Sequence, residues 1–232
     1  VSQRFYQDEN GKKYISVTSV LDQRSKPYLY PFYAKYGLAG ANRVKEESQD
    51  IGTSFHAYVH GFFLDEPLKE VNKKAYNAIN NFHIFYEKYT PEPILMEQTV
   101  FNYCCKSEDS CSIDCQAYAG TFDGLFIIKG KVVLVDWKTS NQLGNDVYYQ
   151  LIAYYYALTN MVKLGKIILD KPIDCLWAVR FDKKKEFKPA KDIIKIKPDE
   201  KILSGYLALL KSFYADLYLN KLRRKRDRVR SK

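Results

Sequence analysis

Several common signatures are missing from this 232-residue chain, and each absence removes a class of function. There is no G-x-G-x-x-G and no G-x-x-x-x-G-K-[ST], so neither a dinucleotide site nor a P-loop for nucleoside triphosphates is supported. No apolar run approaches the roughly 18 residues needed to cross a bilayer, and no charged-apolar-small leader opens the sequence. The expectation is a chain with no membrane partner. Internal repeats are absent. Methionine is scarce, with two residues, and histidine is limited to His56, His60 and His83. His56 and His60 make an H-x-x-x-H pair, but residue 57 is alanine, so the zinc-protease pattern H-E-x-x-H fails.

What is present fits one domain of ordinary composition. Hydrophobic residues make up 46% and the mean hydropathy is −0.40, within the range of globular proteins. The chain is long enough to bury a substantial core. A single body is expected over 1–220, with a helical part over about 16–90, a central part over about 91–200 and a terminal helix over 199–220. Tyrosine is abundant, with 20 residues, most of them expected in or near the core.

Charge is unevenly spread. The net charge is +10, and the last twelve residues, KLRRKRDRVRSK, supply +7 of it. A basic end over 221–232, with Arg223, Arg224, Lys225 and Arg226 at its centre, points to a polyanion such as nucleic acid. A solubilising end or a localisation signal is the plainer reading. The five cysteines divide into Cys104, Cys105, Cys111 and Cys115 in one polar segment and Cys175 in an apolar run. The spacing CC-x5-C-x3-C does not match a standard zinc site, and a free-thiol loop or an incidental disulfide accounts for it more simply. An odd count without a leader implies an intracellular, reducing compartment.

Periodicity sets out the elements. KYISVTSVL reads as a short strand leading into helix, with Ser16 or Thr18 as the cap. FYAKYGLAGANRVKEE reads as a helix interrupted near Gly37 and Gly40. Helical spacing continues through Ile51, Phe55, Tyr58, Val59 and Phe62, then over Leu68–Tyr89. PEPILMEQTVFNY is a strand with Glu97 at its middle. After the cysteine segment come a hairpin, a buried helix DVYYQLIAYYYALTN, the strands IDCLWAVRF and DIIKIK, and a last helix from Asp199 to Lys221. Helices, three antiparallel strands, a helix and a further strand imply an α/β fold with a mixed sheet flanked by helices.

The hairpin, GTFDGLFIIKGKVVLVDWKTS, carries the chemistry. A three-residue loop between the runs LFII and VVLV would shift the register by one, whereas a two-residue turn at Lys129 and Gly130, or a four-residue loop over Ile128–Lys131, sets one and the same pairing. Residues whose numbers sum to 259 then sit opposite each other, which pairs Asp123 with Asp136. Opposed side chains on antiparallel strands have Cβ atoms about 4.5–5.5 Å apart, and like charges there repel. Strand alternation puts Lys138 on the face of Asp136. Solvated acids at strand ends would explain the pair without function. A hard divalent cation with oxygen ligands would explain it better.

Asp123, Asp136 and Lys138, together with companions along the chain, resemble the PD-(D/E)XK nuclease superfamily. GTSFH, ending at His56, looks like the helix-borne histidine motif of the RecB-type exonuclease branch, and Gln150 and Tyr154 match its Q-x-x-x-Y motif. YISVTSVL and DWKTS are similar to stretches of phage exonucleases and mitochondrial genome maintenance exonucleases. The resemblance spans about Tyr14 to Tyr156 in the family's order. Phe122 stands where the motif's proline would be.

The resemblance implies a restriction-endonuclease-like core and a Mg²⁺- or Mn²⁺-dependent exonuclease acting on single-stranded DNA or DNA ends. It implies catalytic Asp123, Asp136, Lys138 and Glu97. It implies a metal held by His56, Asp123, Asp136 and the Trp137 carbonyl. It implies strand contacts from Gln150, Tyr154, Thr139 and Ser140. Only Cys175 follows the core, so no iron–sulfur cluster is expected. An endonuclease or flap nuclease, or an inactive nucleic-acid-binding relative, is the alternative. Protein partners are not legible.

Overall fold

A computed structural model describes residues 3–67, 70–103 and 117–230. The cysteines Cys104, Cys105, Cys111 and Cys115, and Leu68 at the expected start of a helix, lie outside the described residues. Two short strands, β1 (Phe5–Gln7) and β2 (Lys13–Ile15), pair antiparallel with Tyr6 opposite Tyr14. Ser16 ends this hairpin and caps α1 (Val17–Leu21), its Oγ accepting from the Ser19 N–H at 3.0 Å. One hydroxyl thus divides KYISVTSVL into a strand and a helix, because it satisfies an N–H that the first helical turn leaves open.

The next helical stretch, α2 (Tyr30–Leu64), spans 35 residues and is interrupted at Gly37, as the glycines of FYAKYGLAGANRVKEE suggest. Its backbone leaves helical geometry at Gly37, where φ is 62° and ψ 172°, a conformation that suits glycine. Helix α3 (Tyr76–Tyr89) starts later than the apolar spacing suggests. A 3₁₀ turn over Lys73–Ala75 precedes it, and Asn72 Oδ1 accepts from the Lys74 N–H.

Five strands form the main sheet in the order β3 (Glu92–Asn102), β4 (Tyr118–Ile128), β5 (Lys131–Lys138), β6 (Cys175–Arg180) and β7 (Ile193–Ile196). All neighbours run antiparallel except β5 and β6, which are parallel and joined through α4 (Asp146–Lys163). The sheet is therefore mixed and flanked by helices, as the element order implied. A four-residue helix, α5 (Pro189–Asp192), leads into β7, and α6 (Glu200–Arg230) closes the described chain. The basic run lies within α6, which continues helical as far as Arg230 instead of stopping near Lys221. The side chain of Lys225 is outside the described residues.

Strand alternation sends residues to two cores. Val132 and Leu134 of β5 join Leu151, Ile152 and Leu158 of α4 and Tyr206, Leu210 and Phe213 of α6. Val133, Val135 and Trp137 face the other way, onto Ile51, Phe55 and Val59 of α2 and Phe82 and Phe85 of α3. Both faces of β5 are covered, which explains why VVLV reads as continuously apolar.

Close packing at one glycine links this core to the site. A Cβ on Gly120 would fall on the ring of Tyr154, which is buried. Overpacking of this kind costs about 1–3 kcal/mol. Gly120→Ala is therefore expected to lower the stability in denaturant unfolding by that amount, and an unchanged midpoint would show that Tyr154 is not packed there.

Candidate active site

The β4–β5 turn fixes where the acids lie. Lys129 and Gly130 have φ of 51° and 77°, the two positive values that a type I′ turn needs. The ladder pairs Ile128 with Lys131 and continues to Gly124 with Val135, the register that sums to 259. There it stops. Asp123 and Asp136 follow as the next positions, beyond the last paired residues. The Trp137 N–H donates to Asp123 Oδ2 at 2.6 Å.

Asp123 lacks its ladder partner on the other side as well. Between β3 and β4, Met96 pairs with Gly124 and Gln98 with Phe122, and the pair Glu97–Asp123 between them is missing. Glu97 has φ 43°, in the left-handed region. Side-chain alternation inverts across this point. Leu125 and Phe122 both face the α4 core although three residues separate them, and on β3 so do Leu95 and Val100. Both strands change face at Glu97 and Asp123. A left-handed non-glycine residue costs about 1–3 kcal/mol and persists where the surroundings enforce it.

A cleft of about 570 Å³ opens at this break. It is lined by Glu97, Asp123, Asp136, Lys138, His56, Gln150 and Tyr154. His56 Nδ1 lies 3.1 Å from Asp123 Oδ1. Phe55, fully buried, sits edge-on to the His56 ring and contacts Phe82 and Phe181, so the aromatic core fixes the turn of α2 that presents the imidazole. Lys138 Nζ lies 2.5 Å from Asp136 Oδ2 and donates to Gln150 Oε1 at 2.9 Å. Gln150 Nε2 in turn donates to the Tyr154 hydroxyl at 2.9 Å. Gln150 and Tyr154, one helical turn apart, are both buried and spend their polar groups on holding Lys138.

The remaining sequence candidates lie elsewhere. Trp137 is core, with Phe82, Phe85, Phe126 and Phe181 around its ring, and its indole N–H has no hydrogen-bond partner. Thr139 approaches Gly52 of α2, and Ser140 Oγ donates to the Gln142 carbonyl. Ser140 lines a separate groove with Arg24, Lys26 and Asp146. Arg223, Arg224 and Arg226 lie along the far end of α6. His60 Nε2 is 4.0 Å from Glu97 Oε2 at a neighbouring cleft, and His83 bonds to the Tyr58 hydroxyl. Sequence reasoning passed over Arg4, Tyr6, Thr99 and Thr121, which share the central cleft. Strand alternation could have found Thr99 and Thr121, which stand two residues from Glu97 and Asp123, whereas no sequence signal marks Arg4 and Tyr6.

Burial governs the electrostatics. It pushes the Asp136 carboxyl up to about 6, against the pull of Lys138 and with the help of the Asp123 charge. Burial also works on Asp123, but the His56 imidazole, Lys138 and the Trp137 N–H outweigh it and hold that carboxyl below its ordinary value. His56 and Lys138 are both penalised by burial, yet the facing carboxylates raise each of them above its ordinary value. Two neighbouring acids are thus driven apart in acidity, a feature of functional sites.

Whether these residues suit a divalent cation can be tested on the donors. Asp136 Oδ2 is buried, and among the described residues its partner is the Lys138 ammonium, as an ion pair. A cation would satisfy that oxygen. Two carboxylates and one imidazole form a donor set suited to Mg²⁺ or Mn²⁺. Among the described residues no three His, Cys, Asp or Glu side chains are already gathered around one point. The acids are paired off with His56 and Lys138.

No protein-family model matches the chain, and no curated protein sequence matches it. Solved structures do. The chain is similar to the crystal structure of SSO0001, with 13% identity, TM-score 0.44, and coverage of 89% of this chain and 76% of that one. It is also similar to an alkaline exonuclease, LHK-Exo, from Laribacter hongkongensis. That match has 13% identity, TM-score 0.38, and coverage of 93% and 94%. The same exonuclease in complex with dAMP matches at 14% identity, TM-score 0.35, over 78% and 90%. No helix among the described residues is long and apolar enough to cross a membrane.

The raised Asp136 has a measurable consequence. Its folded value near 6 exceeds the ordinary 3.8, so the folded protein holds this proton more tightly than the unfolded chain. Its contribution to stability is full below about pH 4 and is lost as pH rises through about 6. In metal-free protein, the Asp136 carboxyl carbon resonance is expected to titrate near pH 6, and Asp123→Asn is expected to lower that midpoint. A midpoint near 4 in both proteins would overturn the buried-pair assignment.

Proposed function

We propose that this chain is a divalent-cation-dependent nuclease that hydrolyses phosphodiester bonds of DNA. The observation that carries the reading is the convergence of Asp123, Asp136, Lys138 and His56 on one cleft at a break in the sheet. Asp123, Asp136 and His56 would hold Mg²⁺ or Mn²⁺, with the Trp137 carbonyl beside them, and Glu97 stands where it could hold a second ion. Such an ion supplies Lewis-acid polarisation of the phosphoryl oxygen and an acidified water.

The chain's own residues do the rest. Lys138 Nζ is pinned by Asp136 and Gln150 and keeps a third N–H to donate to a non-bridging phosphoryl oxygen as negative charge develops there. Gln150 and Tyr154 set the position of that ammonium. Asp136, the weaker acid of the pair, can accept the proton of the attacking water. Thr139 and Ser140 are not among the residues lining the cleft, and together with Arg223, Arg224, Lys225 and Arg226 of the basic run they are assigned to guiding the strand by charge and hydrogen bonding. The exonuclease form, acting on single strands or ends, is the reading adopted, and endonucleolytic cleavage is the competing one.

Degradation of labelled linear and circular single-stranded DNA in Mg²⁺, Mn²⁺ or EDTA tests this. Linear DNA should be degraded only with metal, and circular DNA spared. Lys138→Ala and Asp123→Ala should each lower the rate by about 10²-fold or more. Rapid loss of the circle would move the reading to an endonuclease, and wild-type rates from either variant would refute the site. Truncation after Asn220 is expected to weaken DNA binding and flatten its salt dependence, because fewer phosphate charges are neutralised. Equal slopes for the two proteins would remove the basic end of α6 from the binding surface.

A further inference from the structure

Within the cleft, three carboxylates (Glu97, Asp123 and Asp136) face two cationic side chains, Lys138 and Arg4. Lys138 is committed to Asp136 and Gln150. Arg4 is not committed. Its guanidinium lies 4.8 Å over the ring of Tyr6, and among the described residues it has no ion-pair or hydrogen-bond partner. Stacking on a ring occupies a guanidinium's face and leaves its N–H donors at the edge, the fork that matches a phosphate.

The arm that carries Arg4 is fixed to the catalytic sheet. The Arg4 N–H donates to Ser19 Oγ, and the Ser16 N–H donates to the Arg4 carbonyl, both at 2.9 Å. Ser16 also bridges to Ala119 of β4. The Tyr6 hydroxyl accepts from Thr121 Oγ1, which shares a hydrogen bond with Thr99 Oγ1. The guanidinium is therefore held on a wall of hydroxyls facing the acids. Its neighbour Gln3 lines another cleft with Asp216, Leu217 and Asn220 of α6, just before Lys221, Arg223 and Arg224. Arg4 thus shares the cleft of the acids, while the residue before it in sequence meets α6.

Resting on the nuclease reading, we propose that Arg4, stacked on Tyr6, binds the phosphodiester next to the scissile one and sets the strand's entry into the cleft. It is a positioning residue of the substrate strand. A polyanion meets an excess of carboxylates at the acids, so the uncommitted cation at the cleft wall is the group that offsets repulsion where the strand enters. The hydroxyls of Thr99, Thr121 and Tyr6 suit the sugar–phosphate backbone and carry no base preference.

The test measures binding and cleavage separately on the full chain. A short fluorescein-labelled single-stranded oligodeoxynucleotide is titrated by anisotropy against Asp136→Asn, with and without Arg4→Gln, over a range of salt. Arg4→Gln should weaken binding about tenfold and reduce the slope of log K against log salt by about 0.7. Arg4→Lys should recover the slope but only part of the affinity, since an ammonium lacks the fork. Equal affinity and slope, weakening with no change of slope, or no binding by the parent would each overturn the assignment. Cleavage by the protein with Asp136 intact reports on the other claim. Binding that depends on Arg4, in a protein that cuts no DNA with Mg²⁺ or Mn²⁺, would uphold the phosphate site and sink the nuclease reading.

Discussion

The site depends on a break in hydrogen bonding at one position of β4. Asp123 has no ladder partner on β5 and none on β3, so the sheet opens on both sides of β4 at this position. Elsewhere a backbone gap of this kind would leave buried N–H groups unpaired, at a cost of about 1–3 kcal/mol each. Here the Asp123 carboxylate takes the Trp137 N–H itself. The same side chain that needs room in the cleft also repairs the ladder whose interruption makes that room. Glu97 supplies the matching irregularity on β3, its left-handed backbone letting both strands change face together.

Into that opening the protein brings buried charge. Taking an ammonium and carboxylates out of water costs several kcal/mol per ion unless partners compensate. Compensation runs outward from Asp136 through Lys138 and Gln150 to Tyr154, each donor meeting an acceptor. At Asp136 Oδ2 the partner among the described residues is that same Lys138 ammonium, as an ion pair. A chain selected for stability alone would do better with apolar residues at these positions, because replacing buried ion pairs by packed hydrophobes is often neutral or stabilising. The residual strain sits in the cleft, where a ligand could relieve it.

The fold was largely legible because its signals are local. Alternation, a Lys-Gly turn and helical spacing mark β3, β4, β5, β6, β7 and α4 without reference to anything distant. Asp123, Asp136 and Lys138 follow from one hairpin register, and Gln150 and Tyr154 from one helical turn. What escaped were features set by tertiary contact. α6 carries its helix through the basic run, where charge suggested only a tail. Tyr6 lies on a three-residue strand and Arg4 just before it, too short a stretch for period two to stand out. Their place in the cleft comes from Ser19 and Thr121, far along the chain.

Three polar groups of the cleft are next in sequence to residues locked in a core. His56 follows Phe55, Asp136 lies between Val135 and Trp137, and Gln150 precedes Leu151, all four apolar neighbours buried. The anchors belong to different cores, Phe55, Val135 and Trp137 to one face of the sheet and Leu151 to the other. Core side chains tolerate little displacement, since interiors pack at the density of organic crystals. The mutual positions of His56, Asp136 and Gln150 are thus set by how the two cores clamp β5 between them. Loop conformation has little part in it. This geometry favours a preorganised site, in which the sheet and its flanking helices hold the charges in place before any ligand arrives.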